Sequence, residues 1–138
     1  MPGGWAEFQD YDFNIYSRDG SLKMDSNFAK WHYGLMDIAR ELGLESSPGP
    51  KLHQWMCDAG FQNVTTRKFS FPLGPWAKDR RLKELGMINL VQFLDGLEAF
   101  SLRFLVEVKR WTKEDVFETL EKVRVDLLNR KIHMQFDL

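Results

Sequence analysis

The sequence predicts a mostly helical α/β fold with few strands, formed as one domain over residues 1–138. Its length fits a single domain that can bury roughly two-thirds of the surface of the unfolded chain. Apolar residues recur at helical spacing over residues 25–43 and 112–129. Two short stretches, residues 5–13 and 64–71, are rich in aromatic or β-branched residues and are predicted as strands.

Composition and charge exclude several classes of protein. The 19 basic and 20 acidic residues give a net charge of −1, which provides no field for attracting nucleic acid or an anionic membrane. The N-terminus lacks the basic and apolar regions of a secretory signal, and no run reaches the roughly 18 apolar residues of a membrane span. The single cysteine, Cys57, cannot form an internal disulfide. We therefore expect a cytoplasmic protein that binds neither nucleic acid nor membrane.

The N-terminal third is predicted to contain a strand and a helix. Pro2-Gly3-Gly4 is a turn that leads into the strand, and residues 14–23 form a loop with a turn at Asp19-Gly20. The helix begins near residue 25, presents one apolar face and ends at Gly43. That face comprises Phe28, Trp31, Leu35, Ile38, Ala39 and Leu42.

The remaining elements follow a break at residues 46–50. A short helix there is predicted to turn Leu52, Trp55, Met56 and Ala59 inward, and strand 64–71 carries the charged pair typical of an edge strand. After the stiff loop 72–76, residues 79–110 form two or more helices separated at Gly86 and Gly96. The last helix begins with a capping box of Thr112 and Asp115. It buries Val116, Leu120, Val123 and Leu127.

Several separated motifs resemble one family. They are Pro2-Gly3-Gly4-Trp5-Ala6-Glu7-Phe8-Gln9-Asp10, Asp19-Gly20-Ser21-Leu22, Ala59-Gly60-Phe61, Pro72-Leu73-Gly74-Pro75-Trp76-Ala77-Lys78-Asp79, Leu82-Lys83-Glu84-Leu85-Gly86, Leu97-Glu98-Ala99-Phe100-Ser101, and Val123-Arg124-Val125-Asp126-Leu127-Leu128-Asn129 followed by Ile132-His133. In this order they resemble the C-terminal half of the LaeA-like S-adenosylmethionine-dependent methyltransferases of fungal secondary metabolism. The resemblance implies a partial methyltransferase-like Rossmann fold in a single truncated domain.

The resemblance also implies that the cofactor-binding half is missing. In that family the cofactor lies on a Gly-rich turn in the N-terminal half. This chain begins at the turn before the family's fifth strand, and it contains no Gly-x-Gly pattern. We therefore expect no bound cofactor and no methyl transfer by this chain alone.

A gap in the sheet follows from the same resemblance. The family ends with one more strand, which lies between its fifth and sixth strands, and this chain is expected to lack it because it ends at residue 138. Three arrangements close the gap: the two strands pair directly, the Gln135-Phe136 tail inserts, or a second chain supplies strands. Among these we expect a homodimer.

Acidic and aromatic residues form the first candidate site. Asp10 and Asp12, with Tyr11 between them, are predicted at the carboxyl end of the first strand, where ligands bind in open α/β sheets. The loop that carries Trp76 follows the other strand and should emerge on the same side. Such a carboxylate pair facing an aromatic wall can do acid–base work on a substrate. The alternative is that the two aspartates are solvated loop residues and Trp76 packs in the core.

Three further residues are candidates on weaker patterns. His133 belongs to the family-like Ile-His motif and can act as a general acid or base, or make a structural hydrogen bond. Asn89 and Phe93 lie in the helical region that the resemblance places over the substrate. His53 and Cys57 share a helix face at metal-binding spacing, but two ligands do not make a site, so no metal is expected.

Together these observations favour a small enzyme of fungal secondary metabolism. It would isomerise or cyclise a small-molecule intermediate without a cofactor, through Asp10, Asp12 or His133, in a cavity shaped by Tyr11 and Trp76 with Asn89 and Phe93. Holding a flexible substrate in one reactive shape lowers the barrier without a cofactor, in a proton-transfer or a pericyclic ring closure. Two alternatives stay open: a non-catalytic partner of a complete methyltransferase, and a fragment of one.

Overall fold

The computed structural model describes residues 3–138. Met1 and Pro2 lie outside the described residues, and Pro2 is the first residue of the predicted Pro2-Gly3-Gly4 turn. In chain order the elements are β1 (Asp12–Tyr16), α1 (Asn27–Glu41), a 3₁₀ turn (Gly49–Lys51) leading into α2 (Leu52–Asp58), β2 (Ser70–Leu73), α3 (Arg80–Ser101), a π-helical segment (Leu102–Val108), α4 (Lys113–Leu128) and β3 (Met134–Asp137). The prediction of a mostly helical α/β fold with few strands is confirmed.

The three strands form one sheet in the order β1-β3-β2, and β3 is antiparallel to both neighbours. Beyond β2, the backbones of Phe69 and Leu138 exchange two further hydrogen bonds of 2.9 Å. The expectation that the chain lacks a strand between the other two is therefore wrong, because its own tail is that strand. The gap closes within one chain, so the reason for expecting a second chain disappears, and the homodimer stays a prediction.

Both predicted strands are displaced toward the C-terminus. The first was expected at residues 5–13, but β1 begins at Asp12, and the side chain of Trp5 is fully exposed with nothing to pack against. The second was expected at residues 64–71, but β2 begins at Ser70 and extends through Pro72. The physical reason is that β3 is only four residues long, so a strand exists only where β3 can pair with it.

Side chains and a loop occupy the outer edge of β1. Because backbone groups alternate in direction along a strand, those of Phe13 and Ile15 point away from β3. The N–H of Phe13 donates to Ser47 Oγ (2.9 Å), and its carbonyl accepts from His32 Nε2 (2.7 Å). The carbonyl of Ile15 accepts from the Tyr33 hydroxyl (2.9 Å). Three of the four backbone groups that Phe13 and Ile15 offer on this side are therefore already bonded.

Part of the outer edge of β2 is bonded within the chain as well. Pro72 has no N–H to offer, and its carbonyl accepts a hydrogen bond from Asn89 Nδ2 (2.9 Å). Next along the chain, the N–H of Gly74 donates to the carbonyl of Gly86 in α3 (2.9 Å). This close approach requires glycine in α3, since a Cβ on Gly86 would lie 2.2 Å from the Gly74 carbonyl oxygen.

Helices α1, α2 and α4 form where helices are predicted, and α4 has its predicted N-cap. Ser26 caps α1 by accepting from the Ala29 N–H, and Thr112 caps α4 by accepting from the Asp115 N–H. The predicted division of residues 79–110 at Gly86 and Gly96 is wrong, because α3 runs unbroken through both. Gly86 does not end a helix; it allows α3 to approach the turn after β2 at Gly74. Within residues 3–138 no helix is long and apolar enough to cross a membrane.

The core lies between the sheet and helices α1, α3 and α4. Its fully buried side chains include Phe28, Ile15, Leu73, Leu97, Leu120, Val123 and Met134. One buried polar pair links α1 to the end of α3, since Trp31 Nε1 donates to Ser101 Oγ (2.8 Å). The short helix α2 lies at the surface instead. Trp55 and Ala59, predicted to turn inward, are exposed, while Leu52 and Met56 are half-buried.

Substituting glycine by alanine in two helices should have opposite effects. Gly86→Ala should lower the free energy of unfolding by about 1–3 kcal/mol, because the new methyl group meets backbone that cannot move aside. Gly34→Ala in α1 should raise it by about 0.5–1 kcal/mol, because nothing lies within 4 Å of the new Cβ. Urea unfolding measures both, and a Gly86→Ala protein as stable as the wild type contradicts the close approach.

Stability should fall below neutral pH through His32. Burial lowers the pKa of His32 below its ordinary value of 6.5, although its bond to the Phe13 carbonyl opposes this. The unfolded chain therefore takes up a proton before the folded one does. The contribution of neutral, buried His32 to the free energy of unfolding is therefore complete above pH 6.5. It is lost as the pH falls from 6.5 toward the folded-state pKa of His32.

Urea unfolding at pH 7.5 and 5.5 measures this dependence. The non-titrating variant His32→Gln should lose less stability between the two values than the wild type. His53→Gln, at an exposed histidine, should keep the wild-type difference. An unchanged difference in His32→Gln contradicts the assignment.

Candidate functional site

One edge of the sheet gathers loops from distant parts of the chain. Strands β1 and β2 each run antiparallel to β3, so they are parallel to each other and their carboxyl ends share one edge. The loop after β1, the turn after β2 and the residues before β3 therefore meet there. In open α/β sheets this is the edge where ligands bind.

An acid–histidine pair lies at this edge. His133 Nδ1 is 2.6 Å from Asp19 Oδ2, although 114 residues separate the two along the chain. Ser21 braces the pair from both sides: its N–H donates to Asp19 Oδ1 (3.0 Å), and its Oγ accepts from the backbone N–H of His133 (2.8 Å). Both side chains remain reachable from solvent, with 39% of His133 and 48% of Asp19 exposed.

The electrostatics keep Asp19 ionised. The Ser21 hydroxyl contributes most to lowering the pKa of Asp19 to about 2, followed by the Ser21 N–H and the hydrogen bond from His133. An ionised carboxylate only accepts hydrogen bonds, so His133 donates from Nδ1. The Nε2 atom of the ring is then the one available to exchange a proton with a ligand.

Trp76 fixes one wall beside the pair. Its Nε1 donates to the carbonyl of Met134 (2.9 Å), and its ring centroid lies 5.1 Å from that of His133 at an interplanar angle of 30°. The indole also lines a groove of about 200 Å³. Apolar side chains from both sides of the sheet edge line this groove, among them Leu73, Met87, Leu90, Leu127 and Ile132.

A larger cavity of about 300 Å³ lies elsewhere, next to the loop that covers the outer edge of β1. Its two cationic side chains are already paired, Arg40 with Asp37 at 2.6 Å and Lys51 with Glu45. The hydrogen bond from Lys51 and that from the Ser47 N–H lower the pKa of Glu45. Both cationic side chains of this cavity are thus paired, and neither member of the acid–histidine pair lines it.

The predicted acidic pair lies away from this edge. Asp12 is the first residue of β1 and pairs with Asp137, so it belongs to the opposite edge of the sheet, not to the carboxyl end as expected. Its Oδ1 accepts hydrogen bonds from the side chains of Asn14 (2.6 Å) and Ser47 (2.9 Å). Asp10 accepts from the neighbouring Tyr11 N–H (2.8 Å). The cause is the shift of the strand: its carboxyl end is Tyr16.

The four predicted substrate-binding residues lie in three places. Tyr11 and Phe93 both pack on Phe136, with ring centroids 5.5 and 6.1 Å from that of Phe136. Asn89 bonds to the carbonyl of Pro72, and Trp76 lies against His133. The structure thus brings together Trp76 and His133 from the predicted set, and adds Asp19 and Ser21. The sequence showed these two only as a turn, because their link to His133 spans almost the whole chain.

The starts of α1 and α3 do not fit S-adenosylmethionine, the cofactor of the family that the chain resembles. A cofactor of this kind needs free N–H donors where a strand turns into a helix. At the start of α1, the N–H of Phe28 is bonded to Asp126 Oδ2 (2.9 Å) and that of Ala29 to Ser26. At the start of α3, the N–H of Leu82 is bonded to Asp79.

A metal is not indicated either. Residues 3–138 contain no cluster of three or more His, Cys, Asp or Glu side chains that could hold an ion. Of the weak candidate pair on α2, His53 Nδ1 lies 3.1 Å from Thr66 Oγ1, and Cys57 is exposed.

The brace at the Asp19–His133 pair can be tested by titration. Ser21→Ala should raise the pKa of Asp19 from about 2 toward its ordinary value of 3.8, because the Ser21 hydroxyl contributes most to the shift. His133→Gln should raise it as well, because the hydrogen bond and the charge of His133 also lower the pKa of Asp19. Carboxyl NMR shifts followed against pH measure both, and an Asp19 pKa that neither variant changes contradicts the described geometry.

Comparison with known proteins agrees with the motifs. The chain is 39% identical over 136 residues to methyltransferase pytC of Aspergillus terreus, covering 99% of this chain and 42% of that protein. It is 33% identical to the probable methyltransferase tdiE of Emericella nidulans, and the match covers 96% of this chain and 42% of that protein. It is 30% identical to the secondary metabolism regulator LAE1 of Cochliobolus heterostrophus, and the match covers 96% of this chain and 44% of that protein.

The chain therefore spans less than half the length of these relatives. No protein-family model matches it, and no solved structure does. These matches confirm the resemblance that the separated motifs indicate. Their coverage is consistent with a chain that corresponds to the C-terminal part of the relatives. The chain is a homologue of one part of the fungal LaeA-like methyltransferases of secondary metabolism.

Proposed function

We propose that this chain isomerises or cyclises a small-molecule intermediate of fungal secondary metabolism by proton transfer, without a methyl donor. The observation that carries the proposal is the Asp19–His133 pair, with 2.6 Å between Oδ2 and Nδ1, beside the apolar groove of Trp76. The kinship to methyltransferase-like proteins of secondary metabolism supports the class of substrate.

His133 is the proposed acid and base. With Nδ1–H held by the Asp19 carboxylate, Nε2 takes a proton from a carbon next to a carbonyl group, and the bonding electrons of that C–H move toward the carbonyl oxygen. The same imidazolium returns the proton to another carbon of the substrate, where a shifted double bond or a new ring results. Substrate and product have the same atoms, so the reaction needs no other reactant.

Asp19 and Trp76 hold the histidine during this exchange. Asp19 fixes the tautomer and stabilises the imidazolium that forms, as a carboxylate does in other acid–histidine pairs. Trp76, anchored through Nε1 to the Met134 carbonyl, presents its ring to the imidazole at a fixed distance. A cation over an indole face is further stabilised. The roles predicted for Asp10 and Asp12 stay predictions, and the same experiment can test them.

A second function is favoured by the share of the relatives that the chain covers, 42% of methyltransferase pytC. In this alternative the chain is a non-catalytic module, or a fragment, that works with a methyltransferase. Because most outward backbone groups of β1 and the Pro72 carbonyl of β2 are bonded internally, such a partner would bind mainly through side chains rather than by adding a long strand.

Metabolite analysis of a strain lacking the gene separates the two functions. Loss of one compound and accumulation of another of equal mass is the expected result. An accumulating compound that carries hydrogen in place of one methyl group indicates methyl transfer and overturns the proposal, as does an unchanged profile.

Complementation with variants tests the residues. His133→Gln should reduce formation of the product about 10²–10⁴-fold, the usual contribution of a general acid or base. Asp12→Asn, which replaces a predicted carboxylate at the other edge of the sheet, should restore the product. If His133→Gln restores the product and Asp12→Asn does not, the acid–base residue is on the Asp10–Asp12 side of the sheet and the role proposed for His133 is wrong.

A further inference from the structure

The groove beside Trp76 has a composition that selects a class of ligand. Its volume of about 200 Å³ is below the roughly 300–1,000 Å³ of sites that enclose a drug-sized molecule. Only one end of such a molecule fits inside. The side chains of Leu73, Leu90, Leu127 and Ile132 make that end apolar.

One charged side chain lines the same groove. Arg130 follows the C-terminus of α4 and makes no salt bridge with any partner within residues 3–138, whereas Arg124, on the preceding turn, is paired with Glu98 at 3.1 Å. Arginine presents a planar set of donors that matches a carboxylate. An apolar floor with one unpaired guanidinium beside it fits an amphiphilic anion.

The path from the groove leads to the histidine. Trp76 lines the groove and lies against the His133 ring at a tilt of 30°, while Ile132, the residue before His133, lines the groove as well. A molecule whose apolar end fills the groove therefore contacts two residues that adjoin His133, Trp76 in space and Ile132 along the chain. The part that remains outside is the part that can react.

We propose that the Trp76 groove binds the apolar end of a carboxylic acid, with its carboxylate against Arg130. The substrate class is thus an amphiphilic carboxylic acid with an alkyl, prenyl or aryl end. This inference rests on the proposed function for its identification of the ligand as substrate. The binding itself is independent of turnover and can be measured alone.

The test uses octanoate and 1-octanol as paired probes on the purified chain, followed by the NMR signals of the tryptophan indole N–H groups. Octanoate should shift the Trp76 signal and bind about threefold to fivefold more tightly than octanol, the range for a partly exposed charge contact. Trp55, an exposed tryptophan on α2, is the internal control and should not shift. Equal shifts at both tryptophans indicate nonspecific binding and overturn the proposal.

Three variants assign the contacts. Arg130→Gln should make octanoate and octanol bind equally, without loss of the octanol interaction. Leu128→Lys, at a residue that lines the groove, should weaken both probes, while Val125→Lys, equally exposed on α4 but outside the groove, should weaken neither. An unchanged preference for octanoate in Arg130→Gln overturns the role of Arg130.

The outcomes also separate this inference from the proposed function. His133→Gln should bind octanoate as the wild type does while losing the product in the complemented strain. Binding of octanoate with an unchanged metabolite profile in the deletion strain upholds the groove and overturns the enzyme. A changed profile of equal mass without binding of octanoate upholds the enzyme and overturns the groove.

Discussion

The pairing of β3 with two strands at once is the interaction on which the rest of the structure depends. Four residues, Met134–Asp137, bond to β1 on one side and β2 on the other. Because β3 begins directly after His133, the same pairing carries that imidazole to the edge where the other two strands end. The Phe136 ring then gathers Tyr11, Phe71 and Phe93 around it. A single short strand thus joins the aromatic part of the core to the candidate site.

A three-stranded sheet has two exposed edges, and the way this chain closes them explains several of its polar side chains. Backbone groups that lose water without finding a partner are costly, so an open edge is a liability. His32, Tyr33 and Ser47 bond to the backbone of Phe13 and Ile15 in β1, and Asn89 bonds to the carbonyl of Pro72 in β2, a residue that has no N–H. Asn89, which the sequence predicts as a substrate-binding residue, donates one of these hydrogen bonds at the edge of the sheet.

The candidate site combines a tight polar arrangement with an open position. Ser21 ties the Asp19 turn to the backbone at His133, and Trp76 is tied to the Met134 carbonyl, so each side chain is held by a neighbour's backbone. The site nevertheless remains accessible, since both members of the acid–histidine pair are partly exposed. Held geometry with solvent access suits exchange of a proton with a small molecule that enters the adjoining groove.

The sequence alone determined the features that depend on neighbouring residues. Apolar spacing specifies helices α1 and α4, the cap Thr112 marks the start of α4, and the Asp19-Gly20 turn is where local chemistry places it. Tertiary structure decided the strands: alternation in residues 5–13 is a local pattern, but a strand exists only where β3 reaches, which is from Asp12 onward. It also decided the site, since the bond between Asp19 and His133 closes a loop of more than a hundred residues. Periodicity and turn chemistry act over a few residues, whereas which strands pair and which loops meet is set by packing of the whole chain.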